Sequence, residues 1–265
     1  MIEWLIIGGG IHGTYLSNLL TSETDVSPDD IRVLEPHDRP LELWHRHAHA
    51  CGMEYLRSPA THNVDIHILS LYRFAKSALG SDSHHFIPPY NRPSRELFKR
   101  HCESVIRRRR LSRMRIKGRA RALTRLAGGI AVETDHHRIP SKRVLMCIGQ
   151  TEASCWPDWS IRAREDGAAI YHVFDPDFNP AAPSPRERTV VVGGGLTAVQ
   201  TALYRARTAP TPVVLLSPHG LRKSNFDFDP CWIGPKCMRG FLSAGLEERR
   251  KLIDTARLPG ILPLV

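Results

Sequence analysis

Residues 8–13 read Gly-Gly-Gly-Ile-His-Gly, and their neighbours leave few ways to fold the N-terminus. Ahead of them lies Ile2–Ile7, a short apolar run rich in β-branched residues that predicts a strand. Behind them Ile11, Tyr15, Leu16, Leu19 and Leu20 recur at helical spacing. A G-x-G-x-x-G pattern at such a strand-to-helix turn has a geometric meaning. Gly8 permits the tight turn off the strand, Gly10 lets the backbone approach a pyrophosphate with no Cβ in between, and Gly13 lets the helix pack close to the strand. The helix start then aims its unpaired N–H groups and the positive end of its dipole at the phosphates. After a polar stretch, 21–30, a second apolar run, Ile31–Leu34, stops at Glu35-Pro36. Glu35 stands 22 residues after Gly13, where a carboxylate accepts the hydroxyls of an adenosine ribose. Strand, turn, helix and strand make one βαβ-type unit, with Gly8, Gly9, Gly10, Ile11, His12, Gly13 and Glu35 as its candidate nucleotide-binding residues.

The pattern recurs about 185 residues further on. Thr189–Val192 predicts a strand, Gly193-Gly194-Gly195 a turn, and Leu196, Val199, Ala202 and Leu203 a helix stripe, with Ala198 in the third glycine's place. The next strand, Val213–Leu216, ends in Ser217-Pro218-His219 without an acid, and Arg222 and Lys223 follow. A carboxylate there would repel a ribose 2′-phosphate, whereas cations would hold one, so the second cradle is expected to prefer NADPH over NADH through Arg222 and Lys223. The plainer alternative, two solvated loop cations, stays open. Pro176, Pro180, Pro183 and Pro185 mark a linker, which sets the expected domains at 1–188 and 189–265.

Two dinucleotide cradles on one chain, the first at its very start, resemble the two-dinucleotide-binding-domain flavoproteins, the FAD/NAD(P)-binding oxidoreductases. Val144-Leu145-Met146-Cys147-Ile148-Gly149 resembles that family's strand ending in Ala-Thr-Gly, which adds Gly149 to the expected cofactor contacts. Within the group the chain is most similar to the lysine and ornithine N-hydroxylating monooxygenases. That similarity rests on Gly52-Met53-Glu54-Tyr55-Leu56-Arg57-Ser58 and Asn225-Phe226-Asp227-Phe228-Asp229-Pro230. The resemblance implies FAD in the first cradle, NADPH in the second, and monooxygenase-like N-hydroxylation of a small amine. It also implies a Rossmann-like α/β fold: a parallel sheet with helices on both faces, a small antiparallel hairpin, and a second Rossmann-like unit. That second unit is expected to be incomplete at its C-terminus, because family members return to the FAD domain with a Gly-Asp element that does not occur before Val265. The cofactor carries the hard chemistry in this family, so no acid–base pair is expected and none is assigned. The family's disulfide-reductase branch uses a cysteine pair after the first unit, where Cys51 stands alone. Two rival readings remain: a non-catalytic FAD/NAD(P)-binding or regulatory module, and a fragment of a larger flavoenzyme.

Hydrophobic residues make up 42% of the 265, too many for a disordered chain. No run approaches the roughly 18 apolar residues of a membrane span, and the N-terminus lacks the basic start of a signal peptide. Six cysteines without a C-x-x-C pair suggest reduced thiols in a cytoplasmic protein; the family resemblance implies a small-molecule substrate, and a homo-oligomer is left open. The net charge is +10, and Arg95–Arg143 alone holds sixteen Lys/Arg against four Asp/Glu. A nucleic-acid surface would interleave aromatic residues with such cations, but Arg107–Arg125 contains none, so a solvated helix face and hairpin are expected. His45-x-His47-x-His49-x-Cys51 would share one face of a strand and suit zinc, but no second ligand cluster accompanies it, and no metal is expected. Around it, 40–59 shows no clear period and reads as an active-site excursion. Beyond lie a helix within 64–79, a loop over 80–93, and a helix capped by Ser94. A hairpin turning at Gly128-Gly129, a returning strand at 144–148 and a final helix at 244–257 complete the reading.

Overall fold

A computed structural model describes residues 1–78, 83–88, 90–149, 154–180, 188–233, 235–258 and 261–262. The chain divides into two compact units, Met1–Pro180 and Ala181–Val265. The first begins with β1 (Ile2–Ile7), α1 (Ile11–Glu23) and β2 (Ile31–Glu35), followed by helices α2 (Glu42–Ala50) and α3 (Ser70–Ala78). A two-residue pair, β3 (Phe86–Ile87) and β4 (Arg92–Pro93), precedes α4 (Arg95–Arg108), whose N-terminus is capped by Ser94 accepting the Leu97 N–H at 3.2 Å. Then come β5 (Arg115–Lys117), β6 (Ala122–Leu126), β7 (Gly129–Glu133), β8 (Arg138–Met146) and α5 (Asp158–Glu165).

One six-stranded sheet organises this unit in the order β5-β2-β1-β8-β7-β6. Its β5, β2, β1 and β8 run parallel, and β7 and β6 are antiparallel additions. The hairpin expected from the sequence is therefore not separate from the main sheet. β8 serves both parts: Ser141–Met146 pair with β1 while Arg138–Ser141 pair with β7. The strand starts earlier than the 144–148 run suggests and ends at Met146, although the Cys147 N–H still donates to the Ile7 carbonyl at 2.8 Å. Central β1 is buried on both faces, as a parallel strand should be. Ile6 packs with Leu20, Val33, Leu111 and Met114 under α1, while Leu5 and Ile7 pack with Leu34 and Val132 on the other side.

A third cluster, including Leu71, Leu97, Phe98 and Val105, joins α3 to α4. Beside it lies a polar knot built around buried Asp65 and His101. Ser70 donates to Asp65 Oδ2 at 2.5 Å, Arg108 donates to the same oxygen at 2.6 Å, and His101 Nε2 meets Ser70 Oγ at 3.0 Å. Burial alone would raise the Asp65 pKa, but the hydrogen bonds from Ser70 and Arg108 outweigh it and hold the carboxyl at about 2.

The sheet order also divides the basic segment. β5 and β6 form opposite edges, five inter-strand steps of roughly 4.8 Å apart, or about 24 Å. Arg107–Arg115 thus lie beside one edge and Arg121 and Arg125 on the other, and Arg121 and Arg138 pair with Asp135 and Glu133.

Two expectations need correction. The 40–59 stretch contains a helix, α2, entered through Leu41 in the left-handed region (φ 64°). On a helix, residues four apart share a side and residues two apart do not, so His47 points away from the side that His45 and His49 share. His47 instead turns inward and packs its ring 4.5 Å from that of Phe174. The second correction concerns the thiols: Cys231 and Cys237 form a disulfide, their Cα atoms 5.5 Å apart. Cys231 lies in a 3-10 turn, Pro230–Ile233, and Cys237 in the helix that begins at Pro235, close enough to be joined. Among the described residues Cys51, Cys102, Cys147 and Cys155 form no disulfide, and burial pushes the thiols of Cys51 and Cys102 up.

The second unit repeats the opening motif as β9 (Thr189–Val192), α6 (Leu196–Thr208) and β10 (Val213–Leu216), with β9 and β10 parallel. Then follow β11 (Arg222–Lys223), α7 (Pro235–Ser243), α8 (Leu246–Ala256) and β12 (Ile261–Leu262), the last pairing with β11. No helix among the described residues is long and apolar enough to cross a membrane.

Candidate nucleotide-binding sites

Each glycine of the first cradle does a different physical job. Gly8 turns at φ +104°, its N–H donates to the Leu34 carbonyl at 2.8 Å, and a Cβ there would lie 2.5 Å from the Cys147 carbonyl oxygen. At Gly13 a Cβ would overlap the Gly8 carbonyl, so only glycine lets α1 come this close to β1. Gly10 is the opposite case, with nothing within 4 Å of where a Cβ would project. The tight positions hold the loop, and the open one faces the space a phosphate needs.

Gly9 is fastened on both sides. Its N–H donates to Glu35 Oε2 at 2.5 Å, and its carbonyl accepts the Leu41 N–H at 2.9 Å and the Thr14 hydroxyl at 3.2 Å. The next peptides are not fastened in this way. α1 starts at Ile11 with Gly10 as its N-cap, without a side-chain cap or an acid in the first turn, and its first internal bond is Thr14 N–H to Gly10 O at 2.9 Å. The N–H groups of Ile11, His12 and Gly13 precede that bond and stand at the positive end of the helix dipole. Ile11 leans on the α3–α4 cluster, whereas His12 is exposed.

Glu35 is buried at the C-terminal end of β2, and its other oxygen accepts the His37 N–H at 3.0 Å. A carboxylate has about four lone-pair directions, so two remain for ribose hydroxyls. A hollow beside it is lined by Gly9, Thr14, Ser17, Glu35, Leu111 and Arg115. Of these, Thr14, Ser17, Leu111 and Arg115 escaped the sequence reading. Arg115 arrives because β5 pairs with β2, opposite Val33, which no local pattern reveals, and its guanidinium donates to the His37 carbonyl at 2.9 Å. Gly149 lies exposed just beyond β8. Replacing Glu35 with Ala is expected to weaken FAD binding roughly tenfold to a hundredfold, the cost of one or two charge-assisted hydrogen bonds. Flavin titration checks it, and unchanged affinity would refute the role.

The second cradle repeats the geometry inside its own unit. Gly193 turns at φ +143°, its N–H donates to the Leu216 carbonyl at 2.8 Å, and a Cβ there would meet the Ala198 Cβ at 3.1 Å. Gly195 is open like Gly10 and begins α6 with no side-chain cap and no acid in the first turn. Gly193, Gly194, Gly195 and Ala198 therefore come together as the spacing predicts. Arg222 and Lys223 are exposed on β11, beyond the turn that follows β10.

A family model described as FAD-NAD(P)-binding matches residues 5–151, more than half of the chain. No curated protein matches the sequence. Among solved structures, an ornithine N-hydroxylase from Kutzneria sp. 744 with reduced FAD, NADP+ and L-ornithine is similar at 12% identity and a TM-score of 0.67, covering 97% of this chain and 63% of its own. An ornithine hydroxylase from Pseudomonas aeruginosa is similar at 13% identity and a TM-score of 0.66, covering 96% and 64%. A bacillithiol disulfide reductase from Staphylococcus aureus is similar at 16% identity and a TM-score of 0.51, covering 99% and 66%. Identities this low show a shared Rossmann-like flavoprotein fold. The chain spans less than two thirds of both hydroxylases, and only 38% of a further protein solved with FAD and NADP.

Proposed function

The chain belongs to the FAD-NAD(P)-binding family, and from that premise we propose that it is an FAD-dependent oxidoreductase that takes hydride from NADPH. The observation that carries this reading is the difference between two otherwise matching cradles. The first ends its second strand in a buried carboxylate, Glu35, suited to a bare ribose, and the second has Ser217 in that place. The finer reading is monooxygenase-like N-hydroxylation of a small amine. It is supported by the likeness to the two ornithine hydroxylases, and the reductase of the same fold is its competitor. The proposed domains are 1–188 for FAD and 189–265 for NADPH.

The residues of the first cradle fit the adenosine diphosphate half of FAD. Gly10 leaves the approach open, the start of α1 supplies N–H donors, and Glu35 supplies acceptors. When bound, FAD supplies the centre that accepts hydride and reacts with dioxygen. The chain's part is to bind and orient: Gly8 and Gly13 hold the loop rigid against β1, and the His37 and Gly9 N–H groups fix the Glu35 carboxylate before any ligand arrives.

Purified protein supplied with FAD is expected to turn yellow and to bleach when NADPH is added without oxygen. Reoxidation in air with ornithine, lysine or a diamine present then yields a hydroxylamine. A protein that takes up no FAD defeats the whole reading. One that is bleached by NADPH yet hydroxylates no amine keeps the oxidoreductase and loses only the N-hydroxylation.

A further inference from the structure

The second unit holds a hollow that belongs to neither cradle. It measures about 360 Å³ and lies against α7, α8 and the turn before them, with Phe228, Trp232, Met238, Phe241, Leu252 and Ile253 among its walls. None of its lining residues comes from β9, β10 or the start of α6, which form the second cradle. We propose that this hollow is a binding site for an uncharged, flat aromatic molecule of two or three rings, separate from both dinucleotides and from the small amine. The assignment rests on the second unit alone.

The walls are tied together before any ligand arrives. Trp232 follows Cys231 and Met238 follows Cys237, so the disulfide joins the turn that carries one to the helix that carries the other. The Leu258 N–H, just past α8, donates to the Asp227 carbonyl at 2.7 Å and ties that helix to the segment bearing Phe228. Trp232 and Phe241 meet edge to face, their ring centres 5.8 Å apart, and the Arg249 guanidinium lies 5.5 Å from the Phe241 ring centre. Protein interiors rarely keep voids larger than a water molecule, so an apolar hollow of this size between tied elements is room for an occupant. An apolar cavity of about 150 Å³ holds benzene, which sets the scale at two or three rings here. Rings fit better than a flexible chain, because three aromatic side chains offer faces and edges and Met238 adds a thioether. The only charged lining residues, Asp227 and Arg257, are opposite in sign, and the Leu258–Asp227 bond brings both to the same end. They give the hollow no net charge with which to select an ion, and a charged amino acid would lose its hydration against the apolar walls.

The test is titration of the full chain with N-phenyl-1-naphthylamine, a neutral aromatic probe whose fluorescence rises in apolar surroundings. Binding is expected to saturate at one site and to draw energy from Trp232, so Trp232→Phe should keep the binding and lose most of the transfer. Ile253→Arg, at the half-exposed rim, should weaken the probe complex at least about tenfold, and Ala256→Phe, which fills the hollow without adding charge, should do the same. Leu242→Arg removes a still more exposed apolar side chain of α7 that does not line the hollow, and it should change nothing. Binding that never saturates, or that is equal in wild type, Ile253→Arg and Ala256→Phe, overturns the assignment and leaves only adhesion to exposed apolar surface. A wild-type dimer that Ile253→Arg makes monomeric in sedimentation overturns it too, because a second copy of the chain then fills the hollow.

Discussion

Gly10→Ala protein is expected to fold with nearly wild-type stability and to lose most of its affinity for FAD, whereas Gly13→Ala protein loses stability as well. At Gly10 the added methyl enters open space, and its backbone (φ −71°, ψ −163°) is one alanine adopts freely. The cost to the fold is that of altering a helix N-cap, under about 1 kcal/mol. A pyrophosphate needs that same space, and a steric overlap of about 1–3 kcal/mol corresponds to a roughly tenfold to hundredfold weaker complex. At Gly13 two effects oppose. Alanine favours a helix by about 1 kcal/mol over glycine, but its Cβ would overlap the Gly8 carbonyl, and neither backbone can yield without lifting α1 from β1. Overlap therefore wins, with a net loss of about 1–3 kcal/mol. Urea unfolding of the apoprotein and flavin-quenching titrations measure both. A Gly10→Ala protein that binds FAD like wild type, or a Gly13→Ala protein as stable as wild type, would contradict the assigned roles.

Lowering the pH from 7 to 5 is expected to destabilise the fold by about 2 kcal/mol through His101 alone. His101 is fully buried on α4, and burial, aided by the Arg108 charge and opposed by Asp65, pushes its pKa down to about 4. Ser70 spends its proton on Asp65, so His101 Nε2 must donate to Ser70 Oγ, and Nδ1 has no hydrogen-bond partner with which to take up a charge. The unfolded chain therefore binds a proton more readily than the folded one. The contribution is complete above the ordinary imidazole value of about 6.5 and is lost as pH falls towards 4. Asp65, held at about 2, acts in the same direction only below its ordinary range, so its contribution fades between about 4 and 2. Denaturation at pH 7, 6 and 5 should show a slope that His101→Gln flattens by about 2 kcal/mol over that range. An identical slope in the variant would assign the acid sensitivity elsewhere.

What could be read directly from the residues was local. The β1–α1–β2 unit, its repeat at β9–α6–β10 and the Ser94 cap depend on contacts within a few turns of chain, where strand and helix periods and glycine geometry act. The α2 helix was hidden because His, Trp and Arg blur its period and its start is a left-handed leucine rather than a capping residue. The Cys231–Cys237 bond was hidden because spacing alone does not say that one cysteine lies in a 3-10 turn and the other, within reach of it, in the following helix. Strand order lies further out of reach. That β8 joins β1 to β7, that Arg115 comes beside Glu35, and that the basic run is split between opposite edges of the sheet all follow from pairings across tens of residues. The sequence by itself determined the two glycine cradles, because a missing Cβ acts on its immediate neighbours. Only the tertiary structure decided which side chains face those cradles, because that depends on which strand ends and turns are carried to the same corner of a sheet.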